Sequence, residues 1–206
     1  ALMADMYLTS KNYQAALNAL QEIENPDEKM KQTMQYLRYQ MAVNAFVQGK
    51  MADVIKWTKE VVTLSTQPSN YTTESYYLSA QAHYRLHQYN ECIEQINIYQ
   101  QQSNIEESQN KVMSIYLKAY AFFSLKDYIM AEATFRSYIT EIANNIMLNT
   151  YSDALNRIGD CLFYARKFQE ASEVYTQVAN LKSNGADYAI LQNGYAQGLM
   201  HKYDQK

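Results

Sequence analysis

Apolar and aromatic residues recur along this chain both at helical spacing and in a longer period. Between Thr73 and Leu86 the residues Tyr76, Tyr77, Ala80, His83 and Tyr84 form one stripe, and Cys92, Ile96 and Tyr99 resume it after a break at His87-Gln88. The next stretch repeats the arrangement with Ile115, Ala119, Phe122 and Phe123, a break at Lys126-Asp127, then Tyr128, Ala131, Phe135 and Tyr138. A third copy runs through Leu155, Gly159, Leu162 and Phe163, breaks at Arg166-Lys167, and resumes at Phe168, Ala171, Tyr175 and Val178. With Tyr13, Met51, Tyr89, Tyr128, Phe168 and Tyr203 as anchors, the spacings are 38, 38, 39, 40 and 35 residues. Such a period predicts an all-α solenoid of helical hairpins rather than a globular enzyme.

Small residues mark where the helices meet. Nine positions before the anchors stand Ala4, Ala42, Ala80, Ala119, Gly159 and Gly194, and three positions after the first five stand Ala16, Val54, Cys92, Ala131 and Ala171. Close helix approach leaves no room for a long side chain, so these stations are expected at helix contacts. Polar breaks at 24–29, 65–70, 101–110, 149–152 and 182–187 separate the hairpins and supply capping residues; Pro26 and Pro68 fall in two of them. Asn12 and Asp127 directly precede their anchors, where an oxygen acceptor satisfies free amides at a helix start.

The segment Leu155 to Leu162 followed by Phe168 to Tyr175 resembles a tetratricopeptide repeat: a small residue in the first helix, an aromatic at the turn, then a small residue and an aromatic in the second. Tyr76 to Tyr99 and Ile115 to Tyr138 are similar to it. The resemblance implies a right-handed superhelical solenoid of antiparallel hairpins over 1–206. It comprises a partial repeat at 1–25, repeats near 34–66, 72–104, 111–147 and 151–183, and a partial repeat at 187–206. The periods exceed the family's usual 34 residues, so longer second helices or links are expected. The second repeat departs from the pattern, with Met51 for the aromatic, Val54 for the small residue and Thr58 where an aromatic is expected. The stretches from Asp153 and from Tyr188 are similar to large multi-repeat bacterial proteins tied to the cell envelope, which implies an envelope or periplasmic location. The chain begins and stops inside repeats. Leu2, Met3, Met6, Leu191, Leu199 and Met200 are therefore expected to expose apolar surface, and self-association through uncapped terminal repeats is expected.

Composition narrows the partner class. A formal charge of -3 and a pI near 5.7 argue against a nucleic-acid groove, which carries a dense basic stripe. No apolar run reaches the ~18 residues of a membrane span. Cys92 and Cys161 belong to the packing set, so neither a disulfide framework nor a zinc site is indicated. His83 and His87 have the spacing of helical metal ligands, but no Glu follows His83 in a zinc-protease pattern, and no metal is expected. Asp153, Asp160 and Glu173 lack a nucleophile or phosphate loop beside them. No catalytic residue, cofactor or enzymatic activity is assigned.

In tetratricopeptide hairpins the first helices line the concave side. Their side chains pointing away from the packing set form an aromatic strip of Tyr36, Tyr39, Tyr77, Tyr116, Tyr120, Tyr164, Tyr188 and Tyr195, with Gln81, Arg85, Asn156 and Asp160 as orienting polar groups. Tyrosine suits a binding face because it combines contact area, a polar tip and only two torsions to freeze. The expected ligand is a protein partner's peptide or helix; a small ligand or glycan, or a targeting role within a larger protein, are the alternatives. Phe46, Tyr84, Phe123 and Phe163 share one offset and are assigned to packing, and Trp57 to filling a core gap.

Overall fold

The computed structural model describes residues 12–64, 69–142 and 149–204. Ala4, Leu2, Met3, Met6, Pro68 and the side chain of Tyr203 lie outside what is described. Among the described residues the chain is all α: α1 (Tyr13–Gln21), α2 (Glu28–Val47), α3 (Met51–Thr63), α4 (Asn70–Arg85), α5 (Tyr89–Gln100), α6 (Lys111–Ser124), α7 (Tyr128–Glu141), α8 (Asn149–Tyr164), α9 (Phe168–Leu181) and α10 (Ala186–Asp204), with a 3-10 turn at Ile105–Glu107. Two compact units divide it, one ending at Lys111 and one starting at Val112.

Four hairpins among the described residues close with the same turn. Gly49, His87, Lys126 and Arg166 are left-handed, with φ of 76°, 60°, 62° and 61°. The amide after each reaches back across the turn: Lys50 to the Ala45 carbonyl, Gln88 to His83, Asp127 to Phe122 and Lys167 to Leu162, at 2.9–3.0 Å. This bonding satisfies carbonyls that a helix end leaves free. Rings brace three of the turns, since Tyr84 meets Tyr89, Phe123 meets Tyr128 and Phe163 meets Phe168 edge to face at 5.4–5.6 Å. Helix starts are capped as the sequence indicates: Asn12 accepts from the Ala15 amide and Asp127 from Met130, while Asp27 and Ser69 do the same for α2 and α4. Because Asp27 caps it, α2 starts at Glu28, ahead of position 34. The second helices α3, α5, α7 and α9 hold 12–14 residues. Added length lies instead in α2, with 20 residues, and in the link 101–110.

Small stations are buried where helices cross. Ala42, Ala80, Ala119 and Gly159 are buried, as are Ala16, Val54, Cys92, Ala131 and Ala171. Gly159 is the tightest, because a Cβ there would sit 2.5 Å from the Tyr175 ring. The sixth station departs from the pattern. Gly194 is exposed, and Ala189 and Ala196 occupy the packed face of α10. Two residues of helix turn the chain about 200°, so Gly194 points nearly opposite to Ala196.

In the first unit one core gathers Ala16, Leu17, Leu20, Met34 and Leu37, with Trp57 packed on it, and a second gathers Ala45, Met51, Val54 and Ala82. Arg38 ties α2 to α3 through Glu60 at 3.0 Å. In the second unit a larger core runs from Ala119 and Phe135 through Ile158, Leu162 and Tyr175 to Ala189.

Candidate functional site

In the first unit, α2 and α4 bring three tyrosines together. Tyr36 and Tyr39 lie one helical turn apart on α2, and both rings meet Tyr71 of α4 at 5.6 Å between centroids. Burial raises the Tyr36 phenol above its ordinary value; burial and the nearby Glu74 carboxylate raise that of Tyr39. Beside them opens a cleft of about 290 Å³, lined by Tyr39, Asn70, Glu74, Asn104, Gln109 and Asn110, among others. The link 101–110 forms one wall and is strapped to α4. Glu74 accepts from Ser108 Oγ at 2.5 Å and Asn110 Nδ2 at 2.7 Å, Asn104 Nδ2 donates to Asn70, and Thr73 donates to Asn104.

Other expected contact residues of this unit differ in setting. Tyr77 is buried, tilted against the Tyr99 ring at 5.5 Å and hydrogen-bonded to Gln81. What turns Tyr77 inward is the Tyr99 ring of α5 packed against it. Arg85 is exposed, its guanidinium 4.0 Å above the Phe46 ring.

The second unit gathers Tyr116, Tyr120, Asp160 and Tyr188 into one polar network with Asp153, Arg157 and Tyr175. Tyr116 donates to Asp153 Oδ2 at 2.6 Å and Tyr120 donates to the same oxygen. Asp160 Oδ1 accepts from Tyr175 at 2.7 Å and Tyr188 at 2.8 Å. Arg157 lies between the two carboxylates, with Nη1 2.6 Å from Asp160 Oδ2 and Nε 3.8 Å from Asp153. Its charge also faces the rings of Tyr188 and Phe123, at 5.1 and 5.6 Å. Burial raises the Asp160 carboxyl above the usual carboxylate range, against the pull of Arg157 and two phenols. Burial and then the Asp160 hydrogen bond push Tyr188 up to about 12; Tyr116, Tyr120 and Tyr175 are raised by burial together with their carboxylate partners.

Asn156 and Asp160, expected on an outward face, are 3% and 4% exposed. Asn156 Nδ2 donates to the Gly185 carbonyl at 3.1 Å, so it anchors the start of α10, while Asp160 is enclosed by the network. The physical reason is that α8 is covered on several sides, by α7, α9 and α10, and its polar residues satisfy neighbours. Tyr164 and Tyr195 do face solvent; Tyr164 also stacks flat on Tyr128 at 4.5 Å. Sequence reasoning passed over Tyr71, Glu74 and Arg157. The series Asp153, Arg157, Asp160 places opposite charges on one helical face and was a readable signal for the network.

His83 and His87 each engage a neighbour through Nδ1, Gln88 Oε1 and the Tyr89 hydroxyl, both at 2.8 Å. Burial pushes the Cys92 and Cys161 thiols up to about 12. No helix among the described residues is long and apolar enough to cross a membrane.

Antiparallel hairpins with shared stations and identical turns make this a tetratricopeptide-repeat-like fold, an all-α helical repeat array. Among solved structures the chain is similar to the nearly identical TPR-like repeats of a Podosopora anserina kinesin light chain-like protein, at 15% identity and a TM-score of 0.57, covering 85% of this chain and 89% of that one. It is also similar to MamA from Desulfovibrio magneticus RS-1, at 14% identity and TM-score 0.58, covering 87% and 90%. BtubC from P. vanneervenii is similar at 11% identity and TM-score 0.65, covering 98% and 85%. The sequence matches no protein-family model and no curated protein.

Proposed function

We propose that the chain is a non-enzymatic interaction scaffold whose α2–α4 face holds an extended or helical segment of a protein partner. The observation that carries this reading is the Tyr36, Tyr39 and Tyr71 cluster beside an amide-rich cleft. Half-buried rings provide apolar area with little torsional entropy to lose. Carboxamides at the rim offer both a donor and an acceptor, the pair that a peptide backbone requires. A sugar or small ligand fits less well, because the rings of Tyr36 and Tyr39 already face Tyr71 and the cleft is small and polar for an enclosed ligand site. Arg85, Tyr164 and Tyr195 are the outlying contact candidates. Tyr77, Tyr116, Tyr120, Asn156, Asp160 and Tyr188 act in this reading by holding the helices in register.

Panning a random peptide display library on the whole chain, then mapping amide NMR shifts with the recovered peptides, tests the reading. Binders should shift residues 36, 39, 71 and 74, and Tyr39→Ala should weaken them about tenfold, near 1.4 kcal/mol. Peptides that bind Tyr39→Ala undiminished and shift none of these amides would refute it.

A second reading, self-association, is favoured by one observation: Ile190, Leu191 and Tyr195 on α10 are 59%, 55% and 56% exposed. Contiguous exposed apolar residues on one helix are a common mark of an interface. Sedimentation that finds a monomer at high concentration, unchanged by Leu191→Glu, counts against it.

A further inference from the structure

The residues of α4 fall on two faces. Asn70 and Glu74 share the face of the tyrosine cleft, whereas helical geometry puts Ser75, Tyr76, Ser79 and His83 roughly opposite. Over that second face, between α3 and α5, lies another cleft, of about 440 Å³. Its origin is legible in the repeat. Seven positions after the anchors stand Thr58, Ile96, Phe135 and Tyr175. The last three are fully buried and large, while Thr58 is short and spends its hydroxyl on the Val54 carbonyl of its own helix. The degenerate repeat thus lacks the side chain that fills this space elsewhere.

What lines the space is chemically one-sided. Ile55, Val62 and Tyr76 give it apolar walls, Ser75 and Ser79 a hydroxyl floor, Lys59 a basic edge and His83 an imidazole edge; no carboxylate among the described residues lines it. Ser75 Oγ is fully buried with no hydrogen-bond partner among the described residues, although a buried hydroxyl left unpaired is costly. Lys59 makes no ion pair among the described residues, so its charge is available at the rim.

We infer that this cleft is a second docking site, distinct from the tyrosine face, which takes an acidic-apolar segment of a protein partner. One carboxylate side chain of the segment accepts hydrogen bonds from Ser75 and Lys59, and an adjacent apolar side chain occupies the volume that Phe135 or Tyr175 fills in its own repeat. Charge complementarity selects the acid. Missing core volume selects its apolar neighbour.

The test again uses peptides selected from a random display library on the whole chain, now sorted by response to three variants. Peptides of this site should carry Asp or Glu beside Leu, Ile or Phe and shift the amides of residues 58, 59, 75 and 79. Thr58→Phe, which supplies the missing ring, should raise the thermal midpoint and weaken them about tenfold or more. Should Thr58→Phe not fold, Lys59→Glu at the exposed rim should weaken them by a similar factor, as should replacing the peptide's acid with its amide. Tyr39→Ala should leave this group of peptides untouched, which separates failure here from failure of the α2–α4 reading. Among the peptides that Tyr39→Ala leaves untouched, a lack of acidic enrichment, or indifference to both Thr58→Phe and Lys59→Glu, overturns the inference. So does full displacement by free succinate with the same amide shifts, which would make the cleft a small-acid site.

Discussion

Glu74 and Asp153 occupy the same place in two repeats, six residues before Ala80 and Gly159, yet they have different clients. Glu74 accepts from Ser108 and Asn110 of a link and thereby shapes the wall of an open cleft. Asp153 accepts from Tyr116 and Tyr120, rings that also pack on Phe135, and joins Arg157 and Asp160 in a network inside its unit. A carboxylate paired with a link leaves neighbouring tyrosines free to face outward. One paired with tyrosines turns them into structure, because a buried phenol needs an acceptor and a buried carboxylate needs donors. The first unit therefore carries the candidate site and the second carries a polar lock.

Alkaline pH should break this contrast most strongly. The folded-state values of Tyr116, Tyr120, Tyr175 and Tyr188 lie above the ordinary value of about 10. Raised values mean that the folded chain holds these protons more tightly than the unfolded one. Their stabilising contribution is complete below about pH 10 and is lost as pH rises through the folded values, of which that of Tyr188 is about 12. Thermal melts followed by circular dichroism should hold steady up to about pH 10 and fall beyond it. A part of the tyrosinate absorbance, that of these four phenols, should appear only together with unfolding; ionisation of all tyrosines in a still-folded chain would dissolve the lock.

Next in size is Asp160→Ala, which removes the acceptor of two phenols and leaves the partly buried Arg157 without its nearer carboxylate. Breaking a buried pair from one side costs about 3–5 kcal/mol, and with Arg157 partly exposed the loss should fall near the lower figure. Glu74→Ala loses two hydrogen bonds to a half-buried carboxylate at a link, for about 1.5–3 kcal/mol. Urea unfolding of both variants ranks them, and equal losses would mean that the two carboxylates are not differently used. Gly159→Ala sharpens the comparison further. Its Cβ would meet the Tyr175 ring at 2.5 Å, so overpacking should cost about 1–3 kcal/mol despite the helix propensity gained. Gly194→Ala meets nothing within 4 Å and should stabilise by about 0.5–1 kcal/mol.

The period in the sequence located helices, turns and small stations because those depend on backbone geometry that each repeat must reproduce. It did not fix the surroundings of each tyrosine, because those depend on groups outside the repeat. Tyr39, Tyr77, Tyr116 and Asn156 all stand three residues before a station. One lines a cleft, one is buried against Tyr99, one donates to Asp153 and one ties down Gly185. Register was legible; environment was set by whichever carboxylate or link the next hairpin brought. Gly194 shows the same limit at the last helix, where anchor spacing shortens to 35 and the packed face passes to Ala189 and Ala196. Thr58 stood out in the sequence as a lapse in the pattern, and only the packing of α3 on α4 turned that lapse into a cleft.

The hairpin turns offer the smallest test. All four use a left-handed residue, but only Gly49 does so without a side chain; His87, Lys126 and Arg166 carry the steric cost of a Cβ. Replacing these three by glycine relieves that strain, offset in part by the greater freedom glycine gives the unfolded chain. A net gain of about 0.5–1 kcal/mol is expected for Lys126→Gly and Arg166→Gly. His87→Gly should gain less, since it also removes the hydrogen bond to the Tyr89 hydroxyl and an edge contact with that ring. Gly49→Ala should run the other way and cost about 1 kcal/mol. Because the amides behind these residues make matching bonds, the gains at Lys126 and Arg166 should agree closely. A loss of stability at either would mean that its long side chain contributes to the turn more than its backbone strain takes away.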